Sequence, residues 1–270
     1  MIIGIDIGAT TTKAVSIENG ALVRKVKINA SDAVTAATGA FGKIVLENGI
    51  AMNAITGIRI TGAGALKIKN NIFGITTSRV DEFKAIGTGG MFLSGMDNII
   101  IANIGTGTVI IEANKNGISH YGGSGVGGGT IIGLAKKLLP TDEFAGIINL
   151  AKTGNLNRVD LLLEDIMDTG MSFLDRETTV ANFGKMSDNA LGSDIALAII
   201  NMVYQVIGML SVFAARAKNL DRVIVTGNGS GNRLGQNVLA GITKMYGIEF
   251  IYPADAEFTT AAGAGLVTDV

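Results

Sequence analysis

Short apolar runs broken by Gly, Asn and Thr alternate along this chain with longer stretches whose apolar residues recur at helical spacing. Read for period and boundary signals, the first part predicts strands over about 2–8, 12–16 and 21–28, a helix over about 32–47 and a strand over about 55–61. A short irregular segment follows, then a helix opening near Glu82. The remainder predicts strands over about 98–104, 108–113 and 118–121, helices from Gly128 onward and a long helix after Ser193. A strand over 222–226, a helix ending at Tyr246, a strand over 248–252 and a last helix from Ala256 complete the pattern. Each half opens with three antiparallel strands and continues in strand and helix alternation. That order predicts an α/β fold of mixed sheets covered by helices on both faces. The division is set at residues 1–97 and 98–270, and a unit of roughly 130 residues is long enough to bury a core.

The halves share one device, a strand, a Gly-and-Thr turn, a second strand and an Asn-Gly turn. The first copy runs Gly4-Ile5-Asp6-Ile7-Gly8-Ala9-Thr10-Thr11 and reaches Asn19-Gly20; the second runs Ala102-Asn103-Ile104-Gly105-Thr106-Gly107-Thr108 and reaches Asn116-Gly117. Gly8 stands as far from Asn19 as Gly105 does from Asn116. Small residues in a tight turn let backbone N–H groups and Thr hydroxyls approach a phosphate, while Asn-Gly suits a hairpin turn of positive φ. Two such turns suggest one phosphate tail held between related halves.

Composition narrows the function classes. With 22 basic and 23 acidic side chains there is neither a polybasic face nor an acidic tail, so nucleic acid is not expected as a partner. The absence of cysteine removes disulfides, thiolate nucleophiles, Fe–S clusters and thiolate zinc sites, and suits a reducing, cytoplasmic compartment. Met1-Ile2-Ile3-Gly4 enters a strand directly, with no basic leader, so no secretory signal is expected. Residues 195–215 carry no charge and are long enough to span a bilayer, yet they include Asn201, Tyr204, Gln205 and Ser211. With Ser193-Asp194 before them and Arg216 and Lys218 after, they read as a buried or dimer-interface helix rather than a membrane span.

Five places carry candidate chemistry. Asp6 ends the first strand beside the phosphate turn, where a carboxylate can hold Mg2+ through water, with Lys13 on the next strand; alternatively Asp6 only satisfies turn backbone. The run Gly122 to Thr130, with Gly128, Gly129 and Thr130 opening an apolar helix, offers unhindered N–H groups as an anion cradle, unless it is a plain surface turn. Thr226-Gly227-Asn228-Gly229-Ser230-Gly231-Asn232 repeats the idea at a strand-to-helix junction and suits the nucleoside side of a ligand. Asp81-Glu82 opens a helix, where acids are favoured by the dipole alone, but Glu82 also suits a general base that takes a hydroxyl proton during phosphoryl transfer. His120, the sole histidine, lies on the same path and is either a packed side chain or a catalytic one.

At these residues the chain resembles the type II pantothenate kinases, within the acetate and sugar kinase and actin superfamily. The resemblance runs through Gly4-Ile5-Asp6 to Lys13, Val80 to Gly90, Ala102 to Thr108, Gly122 to Leu134, Thr179-Val180-Ala181-Asn182-Phe183-Gly184 and Gly263-Ala264-Gly265. It implies two ribonuclease-H-like lobes, ATP with Mg2+ in the cleft between them, and a homodimer. It places Asp6, Gly8, Thr10, Thr11 and Lys13 by the triphosphate and metal, with Thr106, Gly107 and the turn from Gly128 around the nucleotide. Glu82 is implied as base toward the pantothenate hydroxyl, with Thr179, Val180, Ala181 and Asn182 near that acceptor. Three positions depart from the family: His120 where it carries arginine, Phe144 where related enzymes carry tyrosine, and Asn228 where they carry serine.

The leading expectation is ATP-dependent phosphorylation of pantothenate, the first step toward coenzyme A. A second keeps the cleft and changes the acceptor to another hydroxylated small molecule or sugar, motivated by the imidazole of His120, which lacks the fixed fork of a guanidinium. A third is a nucleotide-responsive regulatory protein without phosphoryl transfer.

Overall fold

The computed structural model describes residues 1–29, 32–167 and 175–268. In chain order the strands are β1 (Ile2–Ile7), β2 (Thr11–Glu18), β3 (Ala21–Asn29), β4 (Gly57–Thr61), β5 (Thr77–Arg79), β6 (Asn98–Ile104), β7 (Thr108–Asn114), β8 (Gly117–Ser124), β9 (Leu161–Leu162), β10 (Thr179–Ala181), β11 (Arg222–Thr226) and β12 (Glu249–Ile251). The α-helices are α1 (Ala33–Glu47), α2 (Glu82–Ser94), α3 (Gly128–Leu138), α4 (Phe144–Ala151), α5 (Gly192–Ala217), α6 (Arg233–Tyr246) and α7 (Thr259–Leu266).

Two five-stranded sheets have the same plan. The first runs β3-β2-β1-β4-β5 and the second β8-β7-β6-β11-β12. In each, three antiparallel strands precede two parallel ones joined through helical crossovers. Ile3, Ile5 and Ile7 line one buried face of β1 while Gly4 is buried on the other, and Ile99 to Ala102 of β6 are buried on both faces, as expected for strands covered by helices on each side.

The hairpins differ at their turns. Asn19 and Gly20 both take positive φ, 50° and 78°, and form the two-residue turn between Glu18 and Ala21. In the second hairpin the turn residues are Lys115 and Asn116, Gly117 pairs with Asn114, and only Gly117 has positive φ. The equal sequence spacing thus hides a one-residue shift in where the chain reverses.

Helix ends follow local chemistry. Asp32 caps α1 by accepting the N–H groups of Val34 and Thr35 at 3.0 and 3.1 Å, and Asp81 caps α2 by accepting from Lys84 N–H at 2.9 Å. Helix α1 buries Ala37, Ala40, Phe41 and Ile44 against the first sheet, and full burial of a Phe or Ile side chain contributes about 1.5–3 kcal/mol. Helix α5 lies on the second sheet and is the one described helix long and apolar enough to cross a membrane; 61% of its most apolar window is buried inside the protein.

The chain passes between lobes twice. Helix α2, which follows the first sheet in sequence, packs Ile86 onto Ile99, Ile101 and Ile111 of the second sheet. Helix α7, which follows the second sheet, packs Ala261 and Ala262 onto Val15 and Ile17 of the first. The two helices cross where Gly89 meets Thr259 and Gly263 meets Ala85, so their backbones touch at the floor of the cleft.

Candidate active site

The two Gly-Thr turns converge. In the first lobe Gly8 N–H donates to the Thr11 carbonyl at 3.1 Å; in the second Gly105 N–H donates to the Gly107 carbonyl at 2.8 Å. Each turn is therefore closed by its own backbone. Both line a single cavity of about 270 Å3 together with Asp6, Lys13, Glu82 and Gly227. Asp6 and Lys13 are direct partners across the β1–β2 ladder, which brings both to one face of the first sheet. Glu82 arrives from the first turn of α2, held there by the Asp81 cap.

Burial dominates the electrostatics. Enclosure pushes the Asp6 carboxyl up to about 6, the Lys13 ammonium pulls it partly back, and the charge of Glu82 adds to the rise. Lys13 is 4% exposed, and its burial lowers its pKa against the opposing pull of Asp6. Burial, then the neighbouring charge of Asp81, raises the Glu82 pKa above its ordinary value. A half-buried carboxylate with raised proton affinity, facing two phosphate-type turns, is suited to accept a proton from a hydroxyl.

A larger cavity of about 780 Å3 adjoins the first and shares Thr10, Thr11, Gly105, Thr106 and Asn228 with it. Ile131, Ile132, Phe144, Ile148 and Leu234 give it an apolar side, while Gly128, Gly129, Gly229 and Gly231 keep its backbone walls open. Its volume and mixed lining suit a base and ribose, with the phosphate tail running on toward Asp6. Lys27 and Asn29 of β3, Lys152 after α4, and Arg233 at the start of α6 also line it. Sequence reading missed these four, because they stand on separate elements and share no local motif.

Several expected site residues have different surroundings. The strand β8 runs on to Ser124, so Gly122 and Gly123 are ladder residues rather than a cradle. The N–H groups of Gly128 and Gly129 are not free for an anion: they donate to the carbonyls of Gly105 and Thr106, both at 2.9 Å. The helix start is thus docked onto the second Gly-Thr turn and holds it, and these glycines line the larger cavity with their N–H groups already used. Thr130 lines neither cavity; its hydroxyl accepts from Gly127 N–H at 3.1 Å and closes the helix start. His120 is exposed and lines neither cavity, its ring stacked on Phe83 at 4.5 Å between centroids and 7° between planes.

Thr179, Val180, Ala181 and Asn182 also lie off both cavities. They flank Asp160, which is fully buried and accepts from Asn201 Nδ2 at 2.7 Å, Phe183 N–H at 2.8 Å and Asn182 Nδ2 at 3.3 Å. This carboxylate, unsignalled by any motif, anchors β10 to α5. Val180, 49% exposed, points away from that network.

Comparison with known proteins decides the family. The family model described as Fumble matches residues 96–247. The type II pantothenate kinase of Bacillus anthracis is 31% identical over 274 aligned residues, covering 97% of this chain and 95% of that relative. The chain belongs to the type II pantothenate kinase family. Among solved structures, the activator of the 2-hydroxyisocaproyl-CoA dehydratase from Clostridium difficile with bound ADPNP superposes with a TM-score of 0.70 at 18% identity, covering 98% of this chain and 92% of that one. A ROK family glucokinase from Streptomyces griseus in complex with glucose and AMPPNP gives 0.60 at 14% identity, covering 98% and 97%. At those identities the likeness concerns the fold, which is the two-lobed actin-like ATPase architecture expected from the sequence.

Proposed function

We propose that this type II pantothenate kinase family member transfers the γ-phosphate of ATP to the primary hydroxyl of pantothenate, the first step of coenzyme A biosynthesis. The observation that carries the reading is the shared lining of one cavity by both Gly-Thr turns, Asp6, Lys13 and Glu82, with a nucleoside-sized cavity beside it. The Bacillus relative, a type II pantothenate kinase by name, supports pantothenate as the acceptor.

In this reading the nucleoside lies in the larger cavity and the phosphates pass between Thr11 and Thr106. Glu82 accepts the hydroxyl proton as the acceptor oxygen bonds to phosphorus and the bond to the ADP oxygen breaks. Lys13, beside the tail, offsets its negative charge. Asp6 suits Mg2+: it is one hard carboxylate with a single buried counter-charge, and Mg2+ takes one or two carboxylates together with phosphate oxygens. Bound there, the ion would neutralise charge building on the transferred phosphate. Thr179 to Asn182 line neither cavity of their own protomer, and their part in acceptor binding is proposed on the resemblance alone.

The protein is proposed to act in the cytoplasm and as a homodimer. Leu210 and Phe213, with half-buried Met202 on the same helix, form an apolar stripe on the outer side of α5, with Phe213 60% exposed, and this stripe supports a second copy as its cover. The test of the chemistry is Glu82→Gln. It should abolish ADP release in the presence of pantothenate while ATP still binds; full turnover would remove Glu82 as the base.

A further inference from the structure

The two cavities meet at a neck formed by Thr10 and Thr11 from one lobe and Gly105, Thr106 and Asn228 from the other. Across it runs a hydrogen bond between residues 217 positions apart: Asn228 Nδ2 donates to Thr11 Oγ1 at 3.0 Å. A threonine hydroxyl has one proton to give and two lone pairs to accept with. Here the amide occupies a lone pair, and among the described residues the hydroxyl gives its proton to no protein acceptor. The Asn228 side-chain oxygen Oδ1 is enclosed and has no hydrogen-bond partner among the described residues. A stranded buried acceptor costs at least as much as one neutral hydrogen bond returns, so this side chain contributes little net stability. Its placement therefore calls for another explanation.

We propose that Asn228 is a positioning residue for the phosphate donor. By accepting from the amide, Thr11 Oγ1 is fixed in place with its proton left to point toward a phosphate oxygen in the neck. The same bond holds the two lobes at the separation where both Gly-Thr turns face one tail. Asn228 thus acts through Thr11, and it acts on the phosphates rather than on the base or ribose. The proposal rests on the nucleotide reading of the cleft given above.

The experiment is a double-mutant cycle on ATP affinity, measured by titration calorimetry with Mg2+ and without any acceptor. The proteins are the full chain, Asn228→Ala, Thr11→Val and the double variant; adenosine is titrated in parallel as a ligand without phosphates. Losing a hydrogen bond to a charged phosphate should weaken ATP binding by roughly tenfold or more in Thr11→Val. Asn228→Ala should lose a similar factor, and the double variant should bind no more weakly than Thr11→Val, because Asn228 has nothing left to act through. Adenosine affinity should stay the same throughout. Multiplying losses, unchanged ATP affinity in Asn228→Ala, or an equal fall for adenosine would each overturn the proposal. Asn228→Ser, too short to span to Thr11, should behave as Asn228→Ala and guards against a local packing defect in the alanine variant. Because no acceptor is present, failure to phosphorylate pantothenate would leave this result standing. A wild-type protein that does not bind ATP would overturn both readings.

Discussion

Replacing Gly263 by alanine tests whether the helix crossing at the cleft floor holds the lobes together. A Cβ built at Gly263 lies 1.8 Å from the Ala85 carbonyl oxygen and 2.6 Å from Gly89 N, both backbone atoms of α2. Ordinary contact begins at 3.4 Å, so α2 and α7 would have to separate by roughly 1.6 Å. The reciprocal contact is equally tight, with a Cβ at Gly89 meeting the Thr259 carbonyl at 2.0 Å. No flexible side chain can yield here. Separation would also loosen the small cluster of Val80, Ala85, Ala264 and Val267 that seals the crossing. Overpacking costs about 1–3 kcal/mol, and a backbone-on-backbone clash belongs at the upper end. For a chain of this size each 1 kcal/mol is worth about 2–4 °C, so the variant should melt roughly 6–12 °C lower. Calorimetric melting at fixed pH without ligand reads this directly. The matched control is Gly133→Ala in α3, where a Cβ meets nothing within 4 Å among the described residues outside its own helix backbone. That variant should gain about 0.5–1 kcal/mol from helix propensity and melt slightly higher. A Gly263→Ala protein melting within about a degree of wild type would refute the argument that the crossing is closed by these glycines.

Two further outcomes follow from the site and the surface. Asp81→Asn should move the acid limb of kcat, measured at saturating ATP and Mg2+, to lower pH: asparagine still caps α2, while removal of the neighbouring negative charge lowers the raised pKa of Glu82 and keeps it ionised further into acid. A limb that stays in place or moves up would exclude Glu82 as the titrating base. Phe213→Glu should convert the proposed dimer to monomer in light-scattering chromatography while the single chain keeps its fold, since the side chain is 60% exposed there; a wild-type protein already monomeric at micromolar concentration would remove the α5 stripe as an interface.

Much of the secondary structure is written in contiguous residues. The β6 and β11 boundaries coincide with the expected runs, and α1, α2 and α6 begin beside Asp32, Asp81 and Asn232. Apolar period and capping chemistry act over a few residues, so they survive in the linear pattern. The repeated Gly-Thr turns likewise revealed two related halves, and Asp6 and Glu82 stood out by their places beside a phosphate turn and at a helix start, although each place also suits a carboxylate for local reasons alone. The strands β5, β9 and β10, of two or three residues, left no such trace; they exist only because a neighbouring strand pairs with them.

What tertiary structure alone decided is which groups meet and which are already spent. The N–H groups of Gly128 and Gly129 looked free in sequence, but docking onto Gly105 and Thr106 consumes them. Asp160 gathers partners from β10 and α5, and Asn228 reaches Thr11 across 217 positions. Helices α2 and α7 each cover the sheet of the other lobe, an exchange that no local preference encodes. Hydrogen-bond satisfaction and close packing are settled by partners distant along the chain, whereas propensity and period are settled by neighbours. The longer elements could therefore be read from the sequence, while the joined cavities and the clasp between them arise only when the two lobes close on each other.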